Sequence, residues 1–268
     1  MSSGRRRIKF IKMSAGGNDF VLIDNRDKRL PKNLSGLARH LCKRKFSIGA
    51  DGLLVLENAP AHNFKMIYYN SDGSRASMCG NGARCIAMFA YWSGTAPIDM
   101  RFTADAGLYR AQIQSNSVKL FMRQPHSMKL HRSMKIQGKK IKLHSINTGV
   151  PHAVCFVKDN KKINIDLIGR PIRYNKIFKP QGTNVNFVSK KNAHTINVRT
   201  YERGVEAETS ACGTGVTASA VIAVRLGLVK SPVQCITAGG DVLIVSCGVN
   251  QIYLEGPVRI CFEGEVLI

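Results

Sequence analysis

The sequence predicts an α/β (α+β) fold made of two pseudo-symmetric domains, each mostly strand around one long apolar helix. The first observation is a motif that occurs twice, a cysteine followed by Gly-x-Gly, at residues 79–82 (CGNG) and 212–215 (CGTG). The second is the spacing of the two cysteines, which lie 133 residues apart in a chain of 268. The third is the alanine-rich apolar segment that follows each motif. Together these indicate a duplicated domain.

The predicted elements of the first half follow from local patterns. Apolar residues at helical spacing within 34–41 predict a helix over Leu34–Lys45. The segment 70–74 (NSDGS) predicts a turn, and the first cysteine helix is expected from about Gly80 to Trp92. Runs of β-branched and aromatic residues between turn residues predict the strands Ile8–Ile11, Phe20–Asp24, Gly52–Glu57, Lys65–Asn70, Leu108–Gln114 and Val118–Arg123.

The second half repeats this plan. Its cysteine helix is predicted from about Gly213 to Leu226, and its poverty in charge is typical of a helix buried on all sides. We expect a first domain of residues 1–123 with about 257–268, carrying Cys79, and a second of 124–256, carrying Cys212. The predicted strands are Ile141–Ile146, Ala153–Val157, Val185–Ser189, Thr195–Tyr201, Asp241–Cys247 and Gln251–Glu255, and Val258–Ile268 closes the chain.

A cysteine directly before a glycine-rich helix start has a chemical use. The first turn of a helix presents main-chain N–H groups and the positive end of the helix dipole, which stabilise a thiolate or hold a carboxylate. Two such cysteines on opposite faces of one carbon could remove a proton from one side and return one to the other, which inverts a stereocentre. Buried structural cysteines are the alternative interpretation, but matched motifs at half-chain spacing favour reactive ones.

Composition indicates a globular protein. Hydrophobic residues make up 44% of the chain, and no apolar run approaches the roughly 18 residues that a membrane span needs. The first residues are basic but are followed by too short an apolar stretch for a signal peptide, so we expect a cytoplasmic protein. The cysteines form no CxxC pair, which argues against a disulfide framework and against a zinc site.

The formal net charge of +23 raises the question of nucleic-acid binding. The basic residues occur in short scattered groups at 5–7, 43–45, 139–140, 161–162 and 190–191, outside any recognisable nucleic-acid-binding pattern. Aromatic residues, at 7%, do not interleave with them as a base-stacking surface would require. We interpret the charge as a solvated basic surface and expect no nucleic-acid partner.

The chain closely resembles the diaminopimelate epimerases over nearly its full length. The motifs that carry the resemblance are GNDF (17–20), IGADG (48–52), NSDGS followed by MCGNGARC (70–85), PH (151–152), TNVNF (183–187), YERG (201–204) and ETSACGTG (208–215). The resemblance implies that each domain is a β-barrel-like sheet wrapped around a central helix. It implies the interconversion of L,L- and meso-diaminopimelate without pyridoxal phosphate, metal or other cofactor, in lysine and peptidoglycan-precursor synthesis. A homodimer is a further expectation from the family.

The resemblance also carries residue roles. It implies that Cys79 and Cys212 are the two catalytic bases, with Cys79 facing the L,L isomer. N–H groups in the first turns are expected to hold the substrate carboxylate, which adds Gly80, Asn81, Gly213 and Thr214 to the site. His152, Glu202 and Glu208 are implied as supporting residues. The implied substrate contacts are Asn18, Asn70, Asn184, Glu202 and Arg203, whose types suit a second amino-acid head group. Turn chemistry is the alternative for Asn70 and for His152 after Pro151.

Some positions depart from the family pattern. Val150 stands where many members have Asn before Pro-His, and Gly52 stands where some have Gln. Residues 205–208 are one residue longer than the usual Val-Gly-Glu, and Ala15 replaces the first glycine of the usual Gly-Leu-Gly-Asn-Asp-Phe. These departures bear on the substrate range more than on the chemistry.

Three alternatives remain open at this point. One is a cofactor-independent racemase of another amino acid on the same fold, against which the residues for a distal head group argue. Another is an isomerase like those of phenazine synthesis, against which the paired cysteines argue. The third is a nucleic-acid-binding protein on a degenerate enzyme fold, motivated by the charge of +23.

Overall fold

The computed structural model describes residues 6–268. Residues 1–5, which include Arg5 of the first basic group and the start of the predicted first domain, lie outside the described part. The chain divides into two compact units, Met1–Leu120 with Pro257–Ile268 and Phe121–Gly256. The predicted α/β class is confirmed, because each unit is mostly strand and carries few helices.

Eighteen strands and four α-helices follow one another within residues 6–268. The helices are α1 (Leu34–Leu41), α2 (Gly80–Trp92), α3 (Ile165–Arg173) and α4 (Gly213–Arg225), and short 3-10 turns lie at Asn160–Lys162 and Lys176–Phe178. The strands are β1 (Arg7–Ala15), β2 (Asn18–Asp24), β3 (Gly52–Glu57), β4 (Phe64–Asn70), β5 (Arg75–Ala76), β6 (Asp99–Ala104), β7 (Gly107–Gln114), β8 (Ser117–Met122), β9 (His126–Ile136), β10 (Lys139–Asn147), β11 (Pro151–Phe156), β12 (Asn184–Lys190), β13 (Thr195–Glu202), β14 (Ala207–Thr209), β15 (Val233–Thr237), β16 (Val242–Cys247), β17 (Ile252–Pro257) and β18 (Arg259–Leu267).

The first unit mixes antiparallel and parallel pairing. Strand β1 pairs antiparallel with β18 and with β2, and β3 pairs antiparallel with β4. Strand β2 is parallel to β3, and β4 is parallel to β6. A parallel pair needs a crossover connection, and the two crossovers of this unit contain α1 and α2. The order of pairing therefore fixes where the helices occur.

The second unit repeats this order of elements. Strand β10 pairs antiparallel with β9 and β11, and β12 pairs antiparallel with β13. Strand β11 is parallel to β12, and β13 is parallel to β15. Here α3 and α4 lie in the two crossovers. The repeat seen in the sequence is thus a repeat of topology, with α4 in the place of α2.

Each long helix is the centre of its unit. Helix α2 contacts β1, β2, β3, β4 and β7, and its residues 81–90 are all buried. Helix α4 contacts β10, β11, β12, β13, β15 and β16, and eight of its residues are buried. The apolar side chains of α4 form the core of the second unit together with side chains of the surrounding strands. Burial on all sides explains why both segments carry so little charge.

Helix α3 has no counterpart among the predicted elements. It contains Gly169 and Pro171, and both residues disfavour helix interiors. Packing decides the conformation here, because Ile165 and Ile172 are buried. A Cβ on Gly169 would lie 2.8 Å from the Cβ of Tyr201, so glycine allows α3 to lie close against β13. The helix predicted over Leu34–Lys45 also ends earlier, at Leu41.

In the described part of the chain, every helix is too short or too polar to cross a membrane.

Candidate active site

Cysteines occupy the N-cap positions of the two central helices. Cys79 precedes α2 in an extended conformation (φ −141°, ψ 122°), and its Sγ accepts a hydrogen bond from the main-chain N–H of Gly82 (3.4 Å). Cys212 precedes α4 with φ −121° and ψ 106°. Its Sγ lies 3.5 Å from the hydroxyl of Thr214, and the residue is 7% exposed. Both sulfurs therefore lie at the positive end of a helix dipole.

Cysteine at these positions is not explained by helix capping. The outer helices α1 and α3 are capped in the usual way by asparagines, since Asn33 accepts from the N–H of Gly36 and Asn164 from that of Leu167. Cysteine is not among the preferred N-cap residues. The sequence thus places a less suitable cap on the two longest helices, which points to a chemical role.

Five of the remaining cysteines have a thiol pKa that burial raises. Burial raises the pKa of the Cys42 and Cys155 thiols to about 12 and that of Cys247 to about 11. Burial raises the pKa of Cys85 and Cys235 further still. These five thiols remain protonated at neutral pH and serve as apolar packing residues.

In the first unit, the predicted residues Asn18 and Asn81 are in direct contact. The amide of Asn81 donates to Oδ1 of Asn18 (2.8 Å), and the amide of Asn18 donates to Oδ2 of Asp51 (3.0 Å). Oδ1 of Asn81 accepts from the guanidinium of Arg84 (2.8 Å), a fully buried side chain. Asp51 and Arg84 were not predicted as site residues, although both lie within motifs of the resemblance.

A set of charges fixes the start of β2 beside these asparagines. Asp19 forms an ion pair with the buried Lys12 (2.9 Å) and accepts two hydrogen bonds from Arg44. Arg44 also contacts Asp51 (3.0 Å). Burial alone would raise the pKa of Asp19, but the hydrogen bonds from Arg44 and Lys12 outweigh it and lower the pKa to about 2. The carboxylate is therefore ionised at neutral pH, and the loop containing Asp51 is held to β2.

The side chain of Asn70 bonds outside that set, whereas the carbonyl of Gly80 accepts from the guanidinium of Arg84 (3.5 Å). The amide of Asn70 donates to the hydroxyl of Ser74 (2.9 Å) inside the turn that follows β4. The role of Asn70 in this turn is therefore sufficient to explain its side-chain hydrogen bond. A Cβ on Gly80 would meet no atom within 4 Å, so the main chain of the first turn of α2 borders open space.

In the second unit, His152 and Asn184 are register partners on the parallel strands β11 and β12. Oδ1 of Asn184 accepts from the main-chain N–H of Arg203 (2.7 Å), and its amide approaches the carbonyl of Pro151 (3.5 Å). Asn184 thus links the His152 strand to the turn that carries Arg203. The guanidinium of Arg203 donates to the carbonyl of Gln181 (3.1 Å).

His152 is fully buried, and its Nδ1 lies 3.2 Å from the amide nitrogen of Asn186. Within the described residues, its Nε2 has no hydrogen-bond partner. Burial, helped by the positive charge of Arg203, lowers the pKa of His152 to about 3. The ring is neutral at physiological pH, and the turn alternative is wrong because His152 lies within strand β11.

The two predicted glutamates differ in their surroundings. Oε2 of Glu202 accepts from the hydroxyl of Thr209 (2.8 Å), and burial raises the pKa of this carboxyl despite that hydrogen bond. Both oxygens of Glu208 are held by the guanidinium of Arg199, each at 2.7 Å. Arg199 also donates to main-chain carbonyls of the segment 160–163, so Glu208 belongs to an ion pair that ties β13 and β14 to this segment.

The first turn of α4 is fixed by hydroxyl groups. The hydroxyl of Thr148 donates to the carbonyl of Thr214 (2.9 Å), and that of Thr217 donates to the carbonyl of Gly213 (2.9 Å). These bonds are accepted by carbonyls, so they do not use the N–H groups of the first turn, which at a helix start suit an anionic ligand.

Two departures from the family pattern have structural reasons. Gly52 has no room for a side chain, because a Cβ would lie 2.5 Å from the ring of Tyr68 and 2.7 Å from the carbonyl of Tyr69. In the longer loop, Glu206 has a positive φ of 59° and forms an ion pair with Arg173 (3.0 Å). The extra residue is therefore anchored to α3.

No group of three or more His, Cys, Asp and Glu side chains within residues 6–268 is arranged to hold a metal ion. The first unit offers a thiol at a helix start and the amides of Asn18 and Asn81, and the second offers a thiol at a helix start, a neutral buried imidazole and the half-buried carboxyl of Glu202. Such groups can exchange protons and orient an amino acid.

The family model described as Diaminopimelate epimerase matches residues 10–128 and 144–261. A protein of Aquifex aeolicus (strain VF5) named diaminopimelate epimerase is 42% identical over 272 residues, covering 97% of this chain and 98% of that protein.

Two solved structures resemble the fold at low sequence identity. A phenazine biosynthesis protein of the PhzF family from Bacillus anthracis has a TM-score of 0.75 at 14% identity, covering 98% of this chain and all of that one. A probable proline racemase from Agrobacterium radiobacter K84 has a TM-score of 0.70 at 16% identity, covering 97% and 92%. Because both rival classes share the fold, the fold alone does not separate them, whereas the family match does.

Proposed function

The chain belongs to the diaminopimelate epimerase family, and we propose that it interconverts L,L- and meso-diaminopimelate, an isomerase reaction of lysine and peptidoglycan-precursor synthesis. The observation that carries the proposal is the pair of cysteines at the N-caps of the two central helices, α2 and α4. Cysteine is not a preferred N-cap residue, and both cysteines lie where a thiolate is stabilised.

The proposed reaction is a two-base proton transfer. The thiolate of one cysteine, Cys79 for the L,L isomer, takes the proton from the α-carbon and becomes a thiol. The thiol of Cys212 gives its proton to the opposite face of the same carbon and becomes the thiolate. One S–H bond forms, one breaks, and the stereocentre is inverted. Because each direction needs one thiolate and one thiol, the two groups titrate as a coupled pair.

Charge that develops on the substrate carboxylate needs donors in fixed positions. We propose that the N–H groups of Gly80, Asn81, Gly213 and Thr214 supply them. The hydroxyls of Thr148 and Thr217 hold the start of α4 in place, so that no reorganisation is needed when the charge forms. Loss of one such donor typically costs about 3 kcal/mol of transition-state stabilisation.

The second amino-acid head of the substrate needs both an anion and a cation site. Arg203 supplies a guanidinium for a carboxylate, Glu202 a carboxyl for an ammonium, and the asparagines suit either group. The contacts Asn18–Asn81 and Asn184–Arg203 support this assignment, because they join predicted residues into rigid sets. We retain Asn70 as a proposed contact and His152 and Glu208 as supporting residues.

We further propose a cytoplasmic enzyme without cofactor or metal that functions as a homodimer. The predicted domains, 1–123 with about 257–268 and 124–256, are its two catalytic halves. The basic surface is proposed to be solvated and not to bind nucleic acid.

The test is proton NMR of L,L-diaminopimelate in D2O with reduced enzyme, in the presence of a chelator and without pyridoxal phosphate. We expect loss of the α-proton signal and appearance of the meso isomer. Cys79→Ser and Cys212→Ser should abolish epimerisation, whereas Cys261→Ser, at an exposed position of β18, should not.

The other outcomes are equally informative. Exchange on a different amino acid would keep the mechanism and replace the substrate. Turnover close to that of the wild type in either active-cysteine variant would end the two-base proposal. Salt-dependent retention on DNA, with no exchange on any amino acid, would favour the nucleic-acid alternative.

A further inference from the structure

The buried residue Asn186 on β12 has an amide orientation that the surrounding groups determine. Its Nδ2 donates to the main-chain carbonyl of Ala153 (2.9 Å), and its Oδ1 accepts from the hydroxyl of Thr200 (2.9 Å). A carbonyl can only accept, so the nitrogen of the amide must be the atom that faces Ala153. The side chain cannot be flipped without placing two oxygens against each other.

This orientation determines which nitrogen of His152 carries the proton. Nδ2 of Asn186 lies 3.2 Å from Nδ1 of His152 and presents its second N–H there. Nδ1 must therefore accept. A neutral imidazole has one N–H, which then lies on Nε2. Full burial of His152 disfavours the cation, which would carry protons on both nitrogens.

Asn186 also packs closely against the first turn of α4, the helix that Cys212 caps. A Cβ on Gly215, in the first turn of α4, would lie 2.3 Å from Oδ1 of Asn186. In the first unit the matching glycine, Gly82, faces the apolar methyl groups of Leu54 at 3.3 Å. The second glycine of the Cys212 motif thus packs against a polar side chain, whereas the second glycine of the Cys79 motif packs against an apolar one.

We propose that Asn186 is a positioning residue that holds His152 as the Nε2–H tautomer. His152 then offers a hydrogen-bond donor to an anionic group of the substrate and is not a proton acceptor at Nε2. Nε2 has no partner among the described residues, and a buried donor without a partner is costly, which favours its being kept for a ligand. The catalytic meaning of this inference rests on the proposed function, but the tautomer does not.

The tautomer can be measured directly with protein labelled with 15N in its seven histidines. Long-range 1H–15N correlation distinguishes the two tautomers and the cation, and the His152 signals are those missing in His152→Gln. We expect Nε2–H, unchanged from about pH 8 to about pH 5. A wild-type spectrum showing Nδ1–H or the cation would overturn the inference, whether or not any variant folds.

Asn186→Asp provides the perturbation, because a carboxylate cannot donate to Nδ1 and should draw the proton to that nitrogen. The matched control is Asn160→Asp. Asn160 is a buried asparagine of the same unit whose amide donates to the carbonyl of Phe187 (3.1 Å) and whose Oδ1 accepts from Ser189 (3.2 Å). We expect Nδ1–H in Asn186→Asp and Nε2–H in the control.

The kinetic measurement separates the two hypotheses. In Asn186→Asp we expect kcat to fall at least tenfold with a smaller change in KM, and the control to remain within about threefold of the wild type. Inactivity of the wild type on all amino acids would refute the proposed function and leave the tautomer standing. Full kcat in a variant whose tautomer has changed would refute the positioning role alone.

Discussion

The second glycine of the Cys212 motif offers a sharp test of how the site is built. In Gly215→Ala, the new methyl group would overlap Oδ1 of Asn186 at 2.3 Å and crowd the hydroxyl of Thr200 at 3.3 Å. Both neighbours are buried and hydrogen-bonded to each other. Asn186 must then move, and its bonds to Thr200 and to the carbonyl of Ala153 are lost.

The expected magnitude follows from two opposing terms. Glycine inside a helix is less stable than alanine by about 1 kcal/mol, so the substitution alone would stabilise the protein. Each buried group left without a partner costs about 1 to 3 kcal/mol. With two bonds lost, Gly215→Ala should lower the free energy of unfolding by about 1 to 5 kcal/mol.

The assay is urea unfolding with two matched glycine variants. Gly80→Ala adds a methyl group that meets no atom within 4 Å, and the atoms nearest to the new methyl group of Gly82→Ala belong to Leu54 and Cys79, at 3.3 to 3.5 Å. We expect Gly80→Ala to be as stable as the wild type or more so, and Gly82→Ala to lie between the other two. A Gly215→Ala protein as stable as the wild type would refute the packing argument.

Three further predictions concern charge and space. Burial lowers the pKa of His152 to about 3, so below about pH 6.5 the unfolded state binds a proton that the folded state does not. The free energy of unfolding must therefore fall as the pH is lowered. Between pH 7 and pH 5, the wild type should lose up to about 2 kcal/mol more than His152→Gln, as measured by urea unfolding. Asp19→Asn leaves Lys12 buried without its carboxylate and should lower the free energy of unfolding by about 3 kcal/mol. Arg44→Met removes an exposed guanidinium and should lower it by less than 1 kcal/mol, both measured by thermal unfolding. Equal losses would contradict the conclusion that the buried pair matters more than the exposed one. Gly52→Gln should lower the free energy of unfolding by about 1 to 3 kcal/mol, because its Cβ would lie 2.5 Å from the Tyr68 ring. A stable variant with higher epimerase activity would show that the neighbouring residues can move to accommodate the side chain.

Local sequence signals were sufficient for the central helices. The predicted segment Gly80–Trp92 agrees with α2, and the segment predicted from Gly213 to Leu226 agrees with α4 to within one residue. Both are poor in charge and preceded by a glycine-rich start, and their length favours a helix over a buried strand. Helix α3 was missed because Gly169 and Pro171 oppose a helix locally, whereas burial of Ile165 and Ile172 and the close approach of Gly169 to Tyr201 favour it.

The residues of the candidate site were likewise predicted only in part from the sequence. Asn18, Asn81, Asn184 and Arg203 were predicted through the resemblance, and the structure joins them in pairs. Asn186 lies inside the quoted TNVNF motif, yet its position in the sequence carries no sign that it faces His152. That contact depends on the parallel register of β11 and β12, which are separated along the chain by α3.

The sequence by itself determined the duplication, the fold class and the two cysteines at helix starts, because these depend on short-range patterns and on a repeat that can be counted. Only the tertiary structure decided the ionisation of Asp19, the neutral state of His152 and the tautomer that Asn186 selects. Those properties depend on burial and on hydrogen bonds between strands far apart in the chain, and a linear pattern specifies neither.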